Sequence, residues 1–484
     1  MGTLGPPLAL LFRPEVLALV VSAGVCGLAA GAVARLGPAA TVALLAPLAL
    51  YVDPMVALTA IIVAGTVAAV FHAEPAGPSA PPESDMPSAP GGTDRGTAAA
   101  VGSLAGAVVL TAALSMAGPV VRLGPAAFFW VAIFAMSAAV LTASAAPMRA
   151  LLSLLIGLLL STSGPDRSLG FPRFTFGRPE LLTGLQFLPV ILGLLVVSRV
   201  IRAVVTASAP ATEPDAARSA YLGPRARAPL RTPEILRWGA FGALTGMIPG
   251  AGAEIAGRLA PPADEQGAQP GGHAPTPAAA GDVARHAGMA TAWLPTLLLG
   301  VPADAVTAIV VGLFFMKSMA AGGRTALQQG EMLSGTAVAF LAAAALLIPL
   351  WRLAGALGLG ALRASRGIVW PGVLLAALTG AYAAAQSLFD VGVLLAVGVV
   401  GYALLAAGYP LGPALMGLVL GPVAEQQFML AMAGTRWNVP DFLLQPPSLV
   451  GALLTAALWL LSLAVGLADR GAGQVAPGAP GRKP

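Results

Sequence analysis

Long apolar runs separated by short polar breaks make up most of this chain. They recur at Val16–Ala34, Ala98–Val121, Leu181–Val200, Gly335–Trp351, Ile368–Ala385, Val391–Ala407 and Leu449–Leu467. As a helix, each run is long enough to cross about 30 Å of hydrocarbon. Counted with the interrupted runs, they predict about 12–14 membrane segments. The expected fold class is an all-α polytopic integral membrane protein with broken or re-entrant helices, built as two related halves.

The interruptions carry more information than the runs. Gly242–Gly252 reads G-A-L-T-G-M-I-P-G-A-G, where Pro249 removes a backbone donor and the glycines let the chain turn. Backbone groups freed inside a membrane are tolerated only where protein or a polar cavity satisfies them. A second stretch, Gly27, Gly31 and Gly37, repeats the spacing of Gly242, Gly246 and Gly252. Interrupted spans at matching positions of two halves point to a secondary transporter's binding site.

Polar segments divide the chain. Residues 1–202 are expected to form a first repeat, 203–232 an Arg-rich linker, 233–470 a second repeat and 471–484 a disordered tail. The Pro-, Gly- and Ala-rich stretches 73–96 and 261–281 read as flexible inserts, because such composition cannot pack a core. Arg199, Arg202, Arg218, Arg225, Arg227, Arg231 and Arg237 place the linker in the cytoplasm by the positive-inside rule. Arg363 and Arg366, and the tail's Arg470, Arg482 and Lys483, place their segments and the C-terminus there too. Arg13 precedes its apolar run without a small-residue cleavage site, so the run from Val16 is expected to stay as the first span.

Composition agrees. Only 10% of residues are charged, against about 25% in a soluble chain. The net charge of +5 lies in loop arginines and does not indicate nucleic-acid binding. The single cysteine, Cys26, excludes an intramolecular disulfide and is expected to be a buried, inert thiol. No phosphate-cradling loop, zinc spacing or catalytic triad is visible, so the chain is not expected to be an enzyme or to hold a cofactor.

With these features in hand, the chain resembles the large permease subunit of the tripartite tricarboxylate transporters, the TctA family. The matching segments are Leu44–Pro54, Arg173–Gly177, Leu188–Leu194, Gly242–Gly252, Leu294–Val311, Gly380–Tyr382 and Gly401–Glu425. The resemblance implies a bacterial inner-membrane protein beside a small membrane subunit (TctB-like) and a periplasmic solute-binding protein (TctC-like). It also implies uptake of small organic carboxylates driven by a Na+ or H+ gradient. The chain departs from the family pattern at several positions. Ala34 and Arg35 stand where the family has proline and glycine. Asp282, Arg285 and His286 replace a glutamate and paired asparagines, Ala303 replaces a glycine, and Ala73–Ala76 replaces Asn-x-Pro-Gly.

The resulting expectation is alternating access, with the broken-helix motifs at Gly27, Gly31 and Gly37 and at Gly242, Gly246 and Pro249 meeting near the midplane. A carboxylate would be held by backbone N–H groups of Gly250, Ala251 and Gly252 and of Pro302, Ala303 and Asp304. Arg285, His286 and Asp282 are added as ionisable candidates, since such residues in membrane segments mark function by default. Carbonyls of Gly246, Met247 and Ile248 would face a coupling cation. Each residue also has a plainer reading. The glycines could serve close helix packing, and Asp304 could only cap a helix. Arg285 could snorkel from the start of a span at Val283–Gly300, and Glu254 could pair with Arg258. Asp53-Pro54 reads as a helix start, and Lys317 as an interfacial anchor. The competing function is a degenerate, non-transporting paralogue acting as scaffold or sensor.

Overall fold

The computed structural model describes residues 5–71, 94–116, 123–143, 146–166, 170–207, 231–250, 252–259, 277–317, 326–357 and 366–473. Prolines start many of the helices, because a first-turn residue needs no N–H partner and proline's φ is already helical. The first part contains α1 (Gly5–Leu11), α2 (Pro14–Leu28), α3 (Pro38–Ala49), α4 (Pro54–Phe71), α5 (Arg95–Met116), α6 (Pro125–Ala143) and α7 (Pro147–Ser161). A small hairpin of β1 (Gly164–Pro165) and β2 (Pro172–Arg173) follows, paired antiparallel with Gly164 opposite Arg173. Then come α8 (Phe187–Leu192) and α9 (Ser198–Ala207). α2 ends in a π-helical turn at Ala29–Val33, and another, Gly193–Val197, joins α8 to α9.

After the linker come α10 (Thr232–Gly246), α11 (Gly252–Leu259), α12 (Pro277–Thr291), α13 (Trp293–Leu299), α14 (Ala305–Met316) and α15 (Ala326–Ala356). The chain finishes with α16 (Arg366–Ala385), α17 (Leu388–Ala406), α18 (Leu411–Gly434), α19 (Val439–Leu444) and α20 (Pro446–Gly473). Among the described residues, 10 helices are long and apolar enough to cross a membrane, and α3, α7 and α14 are shorter apolar helices. The protein is an all-α, multi-pass membrane protein.

Several expected boundaries move. Asp94 accepts a hydrogen bond from Thr97 N at 2.6 Å and α5 begins at Arg95, inside the expected first insert. α12 likewise begins at Pro277, inside the second insert. Alanines at 98–100, just past the first insert, and at 278–280, at the end of the second, favour helix there. The expected span from Leu181 starts later, because Pro179–Thr183 is a 3-10 turn closed by Gly184 at φ 83°. The span expected at Val283–Gly300 is two helices, α12 and α13, parted at Ala292. Asp53 does start α4, its Oδ1 accepting from Met55 N at 2.9 Å. Cys26 is exposed rather than buried, on an outward stripe with Val21 and Val25, where lipid rather than core covers the apolar surface.

Helices from before and after the linker interleave. α5 packs most heavily against α12 and α15, while α6 and α7 pack against α18. α17 covers the π-turn at Gly193–Val197. The largest core cluster includes Leu36, Leu188, Ile309, Phe340 and Leu394 and so draws on both parts. α16 and the apolar part of α20 lie at the periphery, each with 11% of its span buried. Residues 208–230, 260–276 and 474–484, which hold most of the linker, the second insert and the tail, lie outside the described residues, as do Ala73–Ala76 and Arg363.

Candidate functional site

The two glycine motifs have the same packing. A methyl carbon at Gly27 would fall 2.4 Å from the carbonyl oxygen of Ala64, and one at Gly31 would fall 3.0 Å from that of Ala68, both on α4. At Gly242 it would fall 2.0 Å from Ala284 O, and at Gly246 it would fall 2.3 Å from Gly288 O, both on α12. In each case two glycines four residues apart ride on two small residues four residues apart, the small-residue packing of membrane helices. In the second motif, Thr291 Oγ1 also donates to Ala243 O at 2.8 Å, tying α12 to α10.

The breaks match as well. Eight residues past the first glycine of each motif, Arg35 and Gly250 both take left-handed backbone, at φ 52° and 79°. Gly250 there approaches α6 so closely that a methyl carbon would overlap the carbonyl of Ala135. Gly252, at φ 45°, faces Ala303 and Asp304, with 2.7 Å between its would-be methyl and Asp304 Cβ. The structure therefore brings the two expected backbone segments together. Ala251, between these glycines, lies outside the described residues.

The donors at the second segment are already engaged. Gly300 closes α13 in left-handed backbone at φ 73°, and Asp304 caps α14. Asp304 Oδ1 accepts from Thr307 N and from Thr307 Oγ1, both at 2.8 Å. Thr307 Oγ1 in turn accepts from Ala303 N at 3.1 Å and Asp304 N at 2.9 Å. Pro302 has no N–H to offer. The expectation of free N–H groups along Pro302–Asp304 is thus corrected, since a carboxylate from the chain itself occupies this helix start. At the α10 break, Ile248 O accepts from Gly252 N at a long 3.4 Å, and Ile248 N donates to Thr245 O at 3.1 Å.

The ionisable candidates lie on a different face of α12. Ala284 and Gly288 face α10, and Gly288 also abuts Ala253 and Ala256 of α11. Val283, His286, Ala287 and Ala290 instead meet Gly102 and Gly106 of α5. On the α5 side, Arg95 grips Asp282 through Nε–Oδ2 at 2.8 Å and NH2–Oδ1 at 3.1 Å. Both side chains are largely buried, at 11% and 7% exposure. His286 is fully buried, its Nδ1 2.8 Å from Asp282 O and its Nε2 without a partner. Arg285 is half-buried in the middle of α12 rather than at the start of a span. The structure thus joins Gly252 to Ala303 and Asp304 but sets Asp282 and His286 apart with Arg95.

Sequence reading missed Arg95, Thr307 and a second ion pair. Arg173, on β2, donates two hydrogen bonds to Glu425 of α18, at 2.7 and 2.9 Å. The hydrogen bond to Glu425 raises the guanidinium's pKa further. The pair joins two of the recognised motifs across the chain, an association no spacing rule exposes. Lys317 Nζ donates to Val52 O at 2.6 Å, tying the end of α14 to the loop before α4. The side chains of Glu254 and Arg258 lie outside the described ones. No group of three or more His, Cys, Asp or Glu side chains able to hold a metal occurs among the described residues.

Comparison with known proteins sets this architecture in context. A family model described as "Tripartite tricarboxylate transporter TctA family" matches residues 92–416. An Agrobacterium vitis protein, "Uncharacterized 52.8 kDa protein in TAR-I ttuC' 3'region", is 26% identical over 376 residues, 76% of this chain and 74% of its own. A second from the same organism, "Uncharacterized protein in TAR-II ttuC' 3'region", is 28% identical over 226 residues, 46% of this chain and 93% of its own. No solved structure matches. The matched range begins after the first glycine motif and ends before Glu425, yet spans more than half of the 484 residues. The chain belongs to the tripartite tricarboxylate transporter TctA family, as a multi-pass membrane component of a transporter that has other components.

Proposed function

We propose that this chain is the permease subunit of a binding-protein-dependent secondary transporter for small organic carboxylates, working by alternating access. The observation that carries the reading is the doubled broken helix. Two motifs pack alike on small-residue tracks and break at matching left-handed residues, Arg35 and Gly250. Family membership supplies the transporter context. Interrupted helices at corresponding positions are where secondary transporters hold substrate and ion.

The substrate is placed at the Gly250–Gly252 break beside Ala303 and Asp304, with the half-buried Arg285 of α12 as the candidate cation. The part-buried carboxylate of Asp304 disfavours a second anion at the start of α14, which shifts the proposed contacts toward the α10 break. Carbonyls of Gly246, Met247 and Ile248, the last of which accepts only a long bond from Gly252 N, are the backbone set proposed for Na+; the other coupling ion in view is H+. The partners are a small membrane subunit and a periplasmic solute-binding protein, and the setting is the bacterial inner membrane with the C-terminus cytoplasmic.

The test is uptake of a panel of labelled di- and tricarboxylates into vesicles holding this chain, its small membrane subunit and its binding protein. Gradient-dependent accumulation of at least one carboxylate is expected. Silence across the panel under both Na+ and H+ gradients would favour the scaffold or sensor reading.

A further inference from the structure

α5 and α12, which pack on each other, each hold a buried polar atom that the proposed substrate site does not use. His286 is 0% exposed and its Nε2 has no hydrogen-bond partner. Ser103, on α5, is also 0% exposed, and its Oγ likewise has no partner. A methyl carbon on Gly102, the residue before Ser103, would sit 3.0 Å from His286 Cβ.

The tautomer follows from the geometry. Nδ1 lies 2.8 Å from the carbonyl of Asp282, which can only accept, so Nδ1 carries the hydrogen. Nε2 is then a bare lone pair buried away from water, an arrangement costly to maintain without a use. Resting on the permease reading above, we propose that His286 is where the coupling proton is taken up, with the Ser103 hydroxyl as its relay. The step is a proton transfer alone. With the seam between α5 and α12 opened, a proton from water reaches the Nε2 lone pair by way of the Ser103 hydroxyl, giving an imidazolium that keeps its Nδ1–H bond to Asp282 O. No other bond changes, and release to the opposite side restores the neutral ring.

Charge around the ring suits a site that switches. The charged groups acting on it are Asp282 and Arg285 of its own helix and Arg95 of α5. Of the other helices touching α12, α4 and α13 carry no charged side chain. α10 carries Glu234 and Arg237, and α15 carries Glu331 and Arg352. Glu254 and Arg258 of α11 have side chains outside the described ones. In this arrangement Asp282 is neutralised by Arg95, so a new positive charge on His286 has no free counter-ion. Protonation therefore favours an opened seam, in which water or a rearranged Asp282 meets the imidazolium. α12 also bears the track for α10, so a shift at the seam reaches the broken helix directly.

The chain has 3 histidines, His72, His273 and His286, which makes the site separable by spectroscopy. Ring-nitrogen NMR of the full chain in detergent is compared with H286Q, H286N and S103A. The signal absent from both His286 variants should show the Nδ1–H form at neutral pH and become doubly protonated on acidification. In vesicles with the partner subunits, H286Q should lose accumulation driven by an imposed proton gradient while substrate counterflow persists. S103A should slow proton-driven accumulation with little effect on the ring's neutral form. A ring that stays neutral until the chain unfolds would overturn the proposal. So would H286Q or H286N accumulating carboxylate under a proton gradient as the parent does, or accumulation driven by Na+ alone. A parent chain that moves no carboxylate under any gradient removes the transport reading and the coupling role with it. The ring titration then decides the protonation site by itself.

Discussion

Arg35 and Gly250 hold the same left-handed backbone, φ 52° and 79°, at equivalent places in two motifs more than two hundred residues apart. The first motif keeps the break although glycine is gone, so the shape of the break is set by the surrounding packing. An arginine in this conformation is strained by about 1–2 kcal/mol. The two positions should therefore respond in opposite ways to substitution.

Gly250→Ala is expected to be severe. Its new methyl would overlap the Ala135 carbonyl on α6, and the left-handed backbone adds strain. Overpacking costs about 1–3 kcal/mol, and the backbone about 1–2 more. Arg35→Gly should be neutral to stabilising, because relief of strain offsets about 0.5–1 kcal/mol of extra freedom in the unfolded chain. Thermal melting of the detergent-solubilised protein separates them: a large drop for the first, none for the second. A comparable drop for both would show that Arg35's side chain, not its backbone, governs the first break.

The Arg95–Asp282 pair is expected to matter through what its loss strands. Asp282→Ala leaves a largely buried guanidinium without its carboxylate, at a cost of about 3–5 kcal/mol. Removing both charges, as in Arg95→Gln with Asp282→Asn, should recover much of that loss. Arg173–Glu425 has similar geometry but is about a third exposed, 32% and 29%. Exposed pairs are worth about 0–1 kcal/mol and weaken with salt. A double-mutant cycle on each pair, run at two salt concentrations, should show strong coupling at the first and weak, salt-sensitive coupling at the second.

Orientation rests on arginine asymmetry and can be read directly. Reporters fused within Ala203–Arg231 and at the C-terminus should both report the cytoplasm. A periplasmic signal from either one would invert the proposed topology.

Much of this fold was legible in apolar runs and prolines, because span length and helix starts are local properties. The twin glycine spacing was legible too, and the structure gives both motifs one packing geometry. What sequence could not supply was the partner of each face. Asp282 and His286 are one turn apart, as are Ala284 and Gly288, and the two sets are offset by two residues around α12. Periodicity therefore separates the faces, but only tertiary packing reveals that one meets α5 and the other α10. Arg95 was hidden because composition assigned it to an insert, although Asp94 ahead of it is a helix-cap signal. Pro302's lack of an N–H was legible from the start. The engagement of Ala303 and Asp304 by Thr307 was not, since it depends on a side-chain rotamer.

The Asp304–Thr307 box allows the cap and the ligand readings of Asp304 to be told apart. As a cap, Asp304 holds the first turn of α14 through Thr307 N and Oγ1, and Ser or Asn could take over much of that role. Asp304→Ala and Thr307→Val should each lower stability by about 0.5–2 kcal/mol. Together they should cost less than the sum, because each breaks the same reciprocal bonds. Asp304→Asn should restore the cap while removing the charge. If Asp304 only shapes the segment facing Gly252, carboxylate uptake by Asp304→Asn should follow stability and stay near the parent's. If its charge helps to set the ion requirement, the Asn variant should melt like the parent but shift its dependence on the driving ion. Melting and uptake measured on the same vesicle preparations decide between them. Loss of melting temperature in Asp304→Asn as great as in Asp304→Ala would remove the capping account itself.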